Sequence, residues 1–198
     1  MIIAENELNS QNFQEFEGLL NEYKNLNPSK IIEIGSLYGW TLQHFIHYSQ
    51  EGSTVLSIDL PVRNFVGPHD WRVAKQEDNY KNAWPAWAKA KKTKLYLIPD
   101  ASQKQSTFDK AKDIFKNEQI DFLFIDGDHT YHGVKRDYEM YGSLVRKGGI
   151  VAFHDIGKNE EGGVHDLWQE IKQQGEFAEY KEFLFEQNQE KGIGVIIK

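Results

Sequence analysis

The sequence predicts an α/β fold: a doubly wound sheet of seven strands, mostly parallel, with an antiparallel strand at its C-terminal end. Five short apolar runs, "KIIEI" (30–34), "TVLSI" (54–58), "KLYLI" (94–98), "IDFLFI" (120–125) and "GIVAFH" (149–154), alternate with longer stretches of helical periodicity. Such alternation is the pattern of βαβ units, which build a parallel sheet covered on both faces. Two further β-rich runs, 180–186 and 192–198, face each other across the polar "QNQEK" and read as a hairpin, so antiparallel pairing ends the sheet. No repeat, low-complexity tract or linker divides the chain, so residues 1–198 are expected to form a single domain.

The elements follow in order. Over 11–26, Phe13, Phe16, Leu19, Leu20, Tyr23 and Leu26 recur at helical spacing until Asn27-Pro28 ends the pattern. This helix has one greasy face, which is expected to lie near the ligand side of the sheet or to join two copies in a homo-oligomer. Helices are predicted at 37–49, 75–91, 103–117, 133–146 and 163–174, with Pro85 starting a new turn or kinking the second of these. Trp84, Trp87 and Trp168 fall at helical positions and read as packing residues.

Composition narrows the function. Thirty acids against 23 bases leave a net charge of −7, which opposes attraction to phosphate backbones. The densest basic cluster, "KAKKTK" at 89–94, sits at a predicted helix end, where lysines suit the helix dipole, so nucleic acid is not an expected partner. With no cysteine, thiolate metal sites and a cysteine nucleophile are excluded. No run approaches the roughly 18 apolar residues of a membrane span, and "MIIAENELNS" lacks the pattern of an export signal. A cytoplasmic protein acting on a small molecule is expected.

The first strand runs into "EIGSLYGWT", where Gly35 and Gly39 bracket a turn around Ser36. In a doubly wound sheet this is where a nucleotide-like ligand approaches the backbone, although a tight strand–helix connection uses the same residues. Asp59 ends the next strand, where a carboxylate can accept hydrogen bonds from both ribose hydroxyls. Glu33 and the missing third glycine disfavour a pyrophosphate here, whereas a nearby carboxylate suits the cationic sulfonium and ammonium of S-adenosylmethionine. Asp100, in "LIPDAS", either helps seat adenine or caps the helix that follows. Trp40 follows the turn and could border adenine, but is not counted among the expected site residues.

The stretch "DFLFIDGDHTYHGV" drives a buried strand into two acids and two histidines. If strands 120–125 and 149–154 are neighbours about 4.8 Å apart, Asp126 and Asp155 leave the sheet at one edge. A divalent cation, Mg²⁺ or Mn²⁺, would remove their repulsion; otherwise the pair caps helices and loops. His129 is three residues past Asp126 and can serve as a base beside a cation-bound hydroxyl, with His154 as an additional ligand and His132 on the surface. Loops 60–74 and 156–165 should flank the site as a lid, with Trp71 either stacking on an acceptor or anchoring its loop.

Together "IIEIGSLYGWTLQHF", "LSIDL", "IDFLFIDGDHTYHGVKRDYE", "GSLVRKGGIVAFHDI" and "GVHDLWQEI" resemble the class I S-adenosylmethionine-dependent methyltransferases. More narrowly, the chain resembles the group of cephalosporin-hydroxylase-like proteins and macrolide-sugar O-methyltransferases. The resemblance implies a Rossmann-like methyltransferase fold and metal-assisted O-methylation of a small hydroxyl-bearing acceptor, sugar-like or natural-product-like. It implies Glu33, Gly35 and Gly39 in the donor loop, Asp59 at the ribose, and Asp126 and Asp155 at the metal; Ser36, Asp100 and Asp126 are further expected at the donor, and His154 as an additional metal ligand. It also implies Asp126 and His129 as the catalytic pair. His154 departs from the acid frequent at its place in metal-binding relatives. Two other readings stay open: a NAD(P)-dependent oxidoreductase, and a non-catalytic donor-binding subunit.

Overall fold

The structure, a computed structural model, describes residues 13–64, 70–158, 163–177, 179–185 and 188–198. Parts of the expected flanking loops, 65–69 and 159–162, lie outside the described residues, as do the first two positions of the expected N-terminal helix. Seven strands form one sheet: β1 (Lys30–Ile34), β2 (Thr54–Ile58), β3 (Lys94–Ile98), β4 (Ile120–Ile125), β5 (Val145–His154), β6 (Glu179–Phe185) and β7 (Asn188–Ile197). Their order is β3-β2-β1-β4-β5-β7-β6. Neighbours pair in parallel from β3 through to β5, and β7 lies antiparallel between β5 and β6. The expected doubly wound architecture is present, with β7 as its antiparallel strand.

Seven α-helices cover the two faces: α1 (Phe13–Leu26), α2 (Trp40–Tyr48), α3 (Trp71–Asp78), α4 (Trp84–Lys91), α5 (Gln105–Ile114), α6 (Tyr131–Tyr141) and α7 (Gly163–Gln174). Alternation along each strand divides the core. Ile31, Val55, Phe122, Phe124 and Ala152 meet Phe16, Leu19 and Tyr23 of α1 and Phe45 of α2. Ile32, Leu56, Leu123 and Phe153 meet the side of Val134, Tyr141, Leu167 and Trp168 from α6 and α7. The continuous apolar run of β4 thus has a partner layer for every side chain from Phe122 onward.

Several boundaries differ from the sequence expectation, each for a local reason. The helix expected at 75–91 is broken: α3 and α4 are separated by a π-helical turn at Asn79–Ala83. Pro85 has no N–H to donate and takes the first turn of α4, where none is needed. The wider turn carries Asn79 and leads into Trp84, and both side chains donate to the Tyr38 carbonyl, at 3.0 and 3.3 Å, bracing the glycine turn. Helix α2 starts at Trp40 rather than 37 because Leu37 and Gly39 hold left-handed backbone angles, φ 47° and 82°. Thr130 caps α6 by accepting from the Gly133 N–H at 3.1 Å, so that helix begins two residues early. Strand β5 begins at Val145 instead of 149, with a register shift against β4 that the left-handed Gly148 accommodates.

Candidate active site

The C-terminal ends of β1, β2, β3, β4 and β5 open into one cavity of about 660 Å³. At one end lies the glycine turn. Gly35 has φ +83°, and a Cβ there would stand 1.9 Å from the Asp126 carbonyl oxygen, so the turn lies directly on the backbone that follows β4. Asp59 secures the turn from β2 by accepting the N–H groups of Ser36 and Leu37 at 3.2 and 2.6 Å. Burial pushes Asp59 up to about 6, against these hydrogen bonds.

Gly35, Ser36, Asp59, Asp100 and Asp126 all line the cavity, and so does Trp40. Two of the expected donor residues do not. Gly39 is buried as the left-handed residue before α2, its Cα against the Trp84 indole. Glu33 points from β1 under the turn, wholly buried, and accepts the hydroxyls of Ser36 and Thr41. Its role in the structure is to hold the turn from below. Asp100 does not cap α5, whose N-cap is Lys104; it accepts from the Ala101 N–H at 2.8 Å and the Lys104 ammonium at 2.5 Å.

Burial pushes the Glu33 carboxyl up to about 8 from an ordinary 4.5, which fixes the sign of a stability effect. Below pH 4.5 both folded and unfolded chains hold this proton; between 4.5 and about 8 only the folded chain does, so stability falls as pH rises through that window. At roughly 1.4 kcal/mol per pH unit, Glu33→Gln is expected to remove a fall on the order of 4 kcal/mol. Urea denaturation of both proteins at several pH values between 4.5 and 8.5 checks this; parallel curves would refute it.

At the other end of the cavity the strand-end acids converge. β4 and β5 are adjacent and parallel with Ile125 opposite Phe153, so Asp126, His154 and Asp155 leave the sheet together. One ligand atom from each lies within 4.8 Å of the others. His129 bridges the two acids, with Nε2 3.3 Å from Asp126 Oδ1 and Nδ1 3.3 Å from Asp155 Oδ2. His154 Nδ1 lies 3.3 Å from Asp126 and 3.2 Å from Asp155, yet neither ring nitrogen makes a hydrogen bond among the described residues, although the residue is only 4% exposed. Burial opposes a charge on His154, but the two carboxylates outweigh it and push the ring up to about 10. Burial likewise works against the Asp126 charge, and the two histidines outweigh it, holding that carboxyl below the usual range. Asp126 raises His129.

Local structure fixes these side chains. Asp128 accepts the Thr130 N–H at 2.9 Å, and a Cβ on Gly133 would meet its carboxyl at 2.1 Å, which explains the glycine in "DHTYHGV". Gly163 at the start of α7 presses on the His129 carbonyl, where a Cβ would stand 1.9 Å away. His132 is exposed, as expected.

A family profile described as a methyltransferase domain matches residues 32–156, from β1 through the turn after β5. The chain belongs to that methyltransferase family. Among solved structures, this family member is similar to an O-methyltransferase from Bacillus cereus in complex with SAH: TM-score 0.64, 14% identity, 95% of this chain and 82% of that one. It is also similar to CalS11, a TDP-rhamnose 3'-O-methyltransferase of calicheamicin biosynthesis: TM-score 0.58, 15% identity, 89% of this chain and 75% of that one. Two uncharacterized proteins are related in sequence. R132 of Acanthamoeba polyphaga mimivirus is 29% identical over 72% of this chain, and y4gI of Sinorhizobium fredii 26% over 74%. The aligned regions span 58% and 15% of those longer proteins.

Three residues near the methyltransferase cavity escaped sequence reasoning. Glu15 on α1 is 2% exposed, with neither oxygen hydrogen-bonded among the described residues. Burial raises its pKa while the charges of His154 and Lys191 lower it. Lys191 lines the cavity from β7. Asp137 on α6 is fully buried, and burial pushes it up to about 7. An acid on the inward face of an amphipathic helix was the available signal for Glu15 and Asp137. Trp71 is 57% exposed and stacks beside Tyr38, ring centres 6.1 Å apart. Trp84 and Trp168 are buried packing residues. No helix among the described residues is long and apolar enough to cross a membrane.

Proposed function

We propose that this methyltransferase transfers the methyl group of S-adenosylmethionine to a hydroxyl of a small sugar-like or natural-product-like acceptor, with a divalent cation assisting. The observation that carries this reading is a single cavity running from the Gly35 turn and Asp59 to the Asp126, His129, His154 and Asp155 cluster. Two structural neighbours support it, one an O-methyltransferase bound to SAH and one a TDP-rhamnose 3'-O-methyltransferase.

The donor set suits a cation. Two carboxylates and an imidazole within 4.8 Å match the oxygen and nitrogen ligands of Mg²⁺ or Mn²⁺, and the ring nitrogens of the buried His154 make no hydrogen bond among the described residues. When bound, the sulfonium supplies an electrophilic methyl and the cation eases ionisation of the acceptor hydroxyl. The protein's own residues do the rest. Gly35 and Ser36 let the donor approach the backbone, Asp59 offers the ribose hydroxyls a carboxylate, and Asp100, Ser102 and Gln103 line the far end, suited to the base. Asp126, His154 and Asp155 would hold the cation. His129 stands between both acids; with a cation taking those carboxylates, its neutral ring would have a nitrogen free to receive the hydroxyl proton, while the donor and acceptor ends of the cavity would hold oxygen, methyl carbon and sulfur in line.

Calorimetry with S-adenosylhomocysteine tests the donor and MnCl₂ titration tests the cation. Binding of both is expected, with no thermal shift from NADH. S-adenosylhomocysteine release on a panel of hydroxyl acceptors should fall at least about tenfold after chelation and recover with Mn²⁺. Turnover indifferent to chelator would instead support charged histidines balancing the two acids without a cation, an arrangement the 3.2–3.3 Å contacts also suit.

A further inference from the structure

Helix α6 starts directly after the His129 loop, and its buried face reaches the loop that follows β3. Tyr141 and Asp137, one turn apart and both wholly buried, tether that loop at consecutive residues. The Tyr141 hydroxyl donates to the Ser102 carbonyl at 2.8 Å, and Gln103 Nε2 donates to Asp137 Oδ2 at 3.2 Å. Ser102 and Gln103 line the cavity; Asp137 does not. Asp137 Oδ1 has no hydrogen-bond partner among the described residues, and the Ser102 and Gln103 side chains beside this carboxyl offset only part of its burial cost.

The chemistry of a primary amide gives the reason. Its oxygen and nitrogen ends have nearly the same shape, so an untethered glutamine presents a donor or an acceptor with little preference. Burial pushes Asp137 up to about 7, so at about pH 8.5 its carboxyl is ionised and removes that choice because it only accepts; the selectivity is read at that pH. Held through Nε2 by Asp137, the Gln103 amide keeps its donor end inward and leaves Oε1 as its acceptor end.

We propose that Asp137 is a positioning residue for donor selectivity: by fixing the Gln103 amide it makes the cavity favour a 6-amino purine over a 6-oxo purine. The inference rests on the reading of the cavity as a site for S-adenosylmethionine. An acceptor oxygen pairs with an exocyclic amino group, whereas it faces the carbonyl of a 6-oxo base with no hydrogen between them. Tyr141 holds the same loop without touching the amide, so its part is mechanical.

Isothermal titration with S-adenosylhomocysteine and with S-inosylhomocysteine, its deamination product, separates these roles. The unaltered protein is expected to prefer the adenosyl compound by about tenfold or more. In Asp137→Asn, whose own amide can pair with Gln103 either way round, the two affinities should come within about threefold. Gln103→Leu, at a partly exposed rim position and independent of any folding defect from the buried change, should also lose the preference. Tyr141→Phe should weaken both ligands by the same factor and keep their ratio. An unchanged ratio in Asp137→Asn or in Gln103→Leu overturns the proposal, as does a Tyr141→Phe ratio that collapses equally. Equal binding of both compounds by the unaltered protein overturns it while leaving the donor reading intact; binding of neither removes the donor reading itself.

Discussion

Gly35→Ala is expected to lose more than about 3 kcal/mol of stability, a fall in Tm of roughly 10 °C for a domain of this size, and with it most affinity for S-adenosylhomocysteine. Two effects add. Gly35 sits at φ +83°, where an L side chain is strained by about 1 kcal/mol, and its Cβ would lie 1.9 Å from the Asp126 carbonyl oxygen and 2.5 Å from the carbonyl carbon. Neither atom can rotate away, since both belong to the main chain: the Asp126 N–H donates to Ile34 at 2.8 Å and the Gly35 N–H to Ile58 at 2.9 Å. Relief would require parting the ends of β1 and β4. Gly52→Ala is the control, because Gly52 has φ +81° but no described atom within 4 Å of an added Cβ. It should lose about 1 kcal/mol, the strain alone. Denaturation curves giving the two variants equal losses would refute the clash argument.

Asp126→Asn addresses the same residue through its side chain. Turnover is expected to fall by roughly 10²- to 10³-fold and Mn²⁺ affinity by at least tenfold, because an amide offers a neutral oxygen where the cluster presents a charge. It also withdraws the carboxylate that faces both His129 Nε2 and His154 Nδ1 at 3.3 Å. Affinity for S-adenosylhomocysteine should change less than that for Mn²⁺, since the Gly35 turn is pressed against the Asp126 main chain, which the substitution leaves in place. Turnover of the variant within about threefold of the unaltered protein would remove Asp126 from the chemistry. The two variants together separate what the backbone and the carboxylate of one residue contribute.

The sheet was legible because each of its five parallel strands is an apolar run bounded by turn residues, and in β1, β2, β4 and β5 burial on both faces leaves such a run no other use, whereas β3 at the edge is only partly buried. Asp126 and Asp155 could be paired for the same reason: adjacent parallel strands of matched register must deliver their next residues to one edge. Helix ends were less legible, since they depend on single backbone angles, such as φ 47° at Leu37, that no periodicity encodes. The π-helical turn was hidden inside a continuous helical pattern, with Pro85 as its only mark. Glu33 was read correctly as a strand-end acid beside the glycines, but its direction under the turn follows from the hydroxyls of Ser36 and Thr41, one of them eight residues further along. Glu15 and Lys191 reach the cavity region from elements far from the motifs, and only the packing of α1 and β7 brings them there; Asp137 lies within the 120–139 motif, but its inward direction follows from the packing of α6.

Asp155 holds a left-handed backbone angle, φ 59°, at the corner where β5 ends. Aspartate, asparagine and glycine enter that conformation at low cost, and β-branched or bulky residues do not. Random mutation at this corner is therefore filtered by shape before chemistry has any say. Asparagine passes the filter, so on the proposed cation reading a single substitution at this corner would weaken the grip on the ion while leaving the architecture intact.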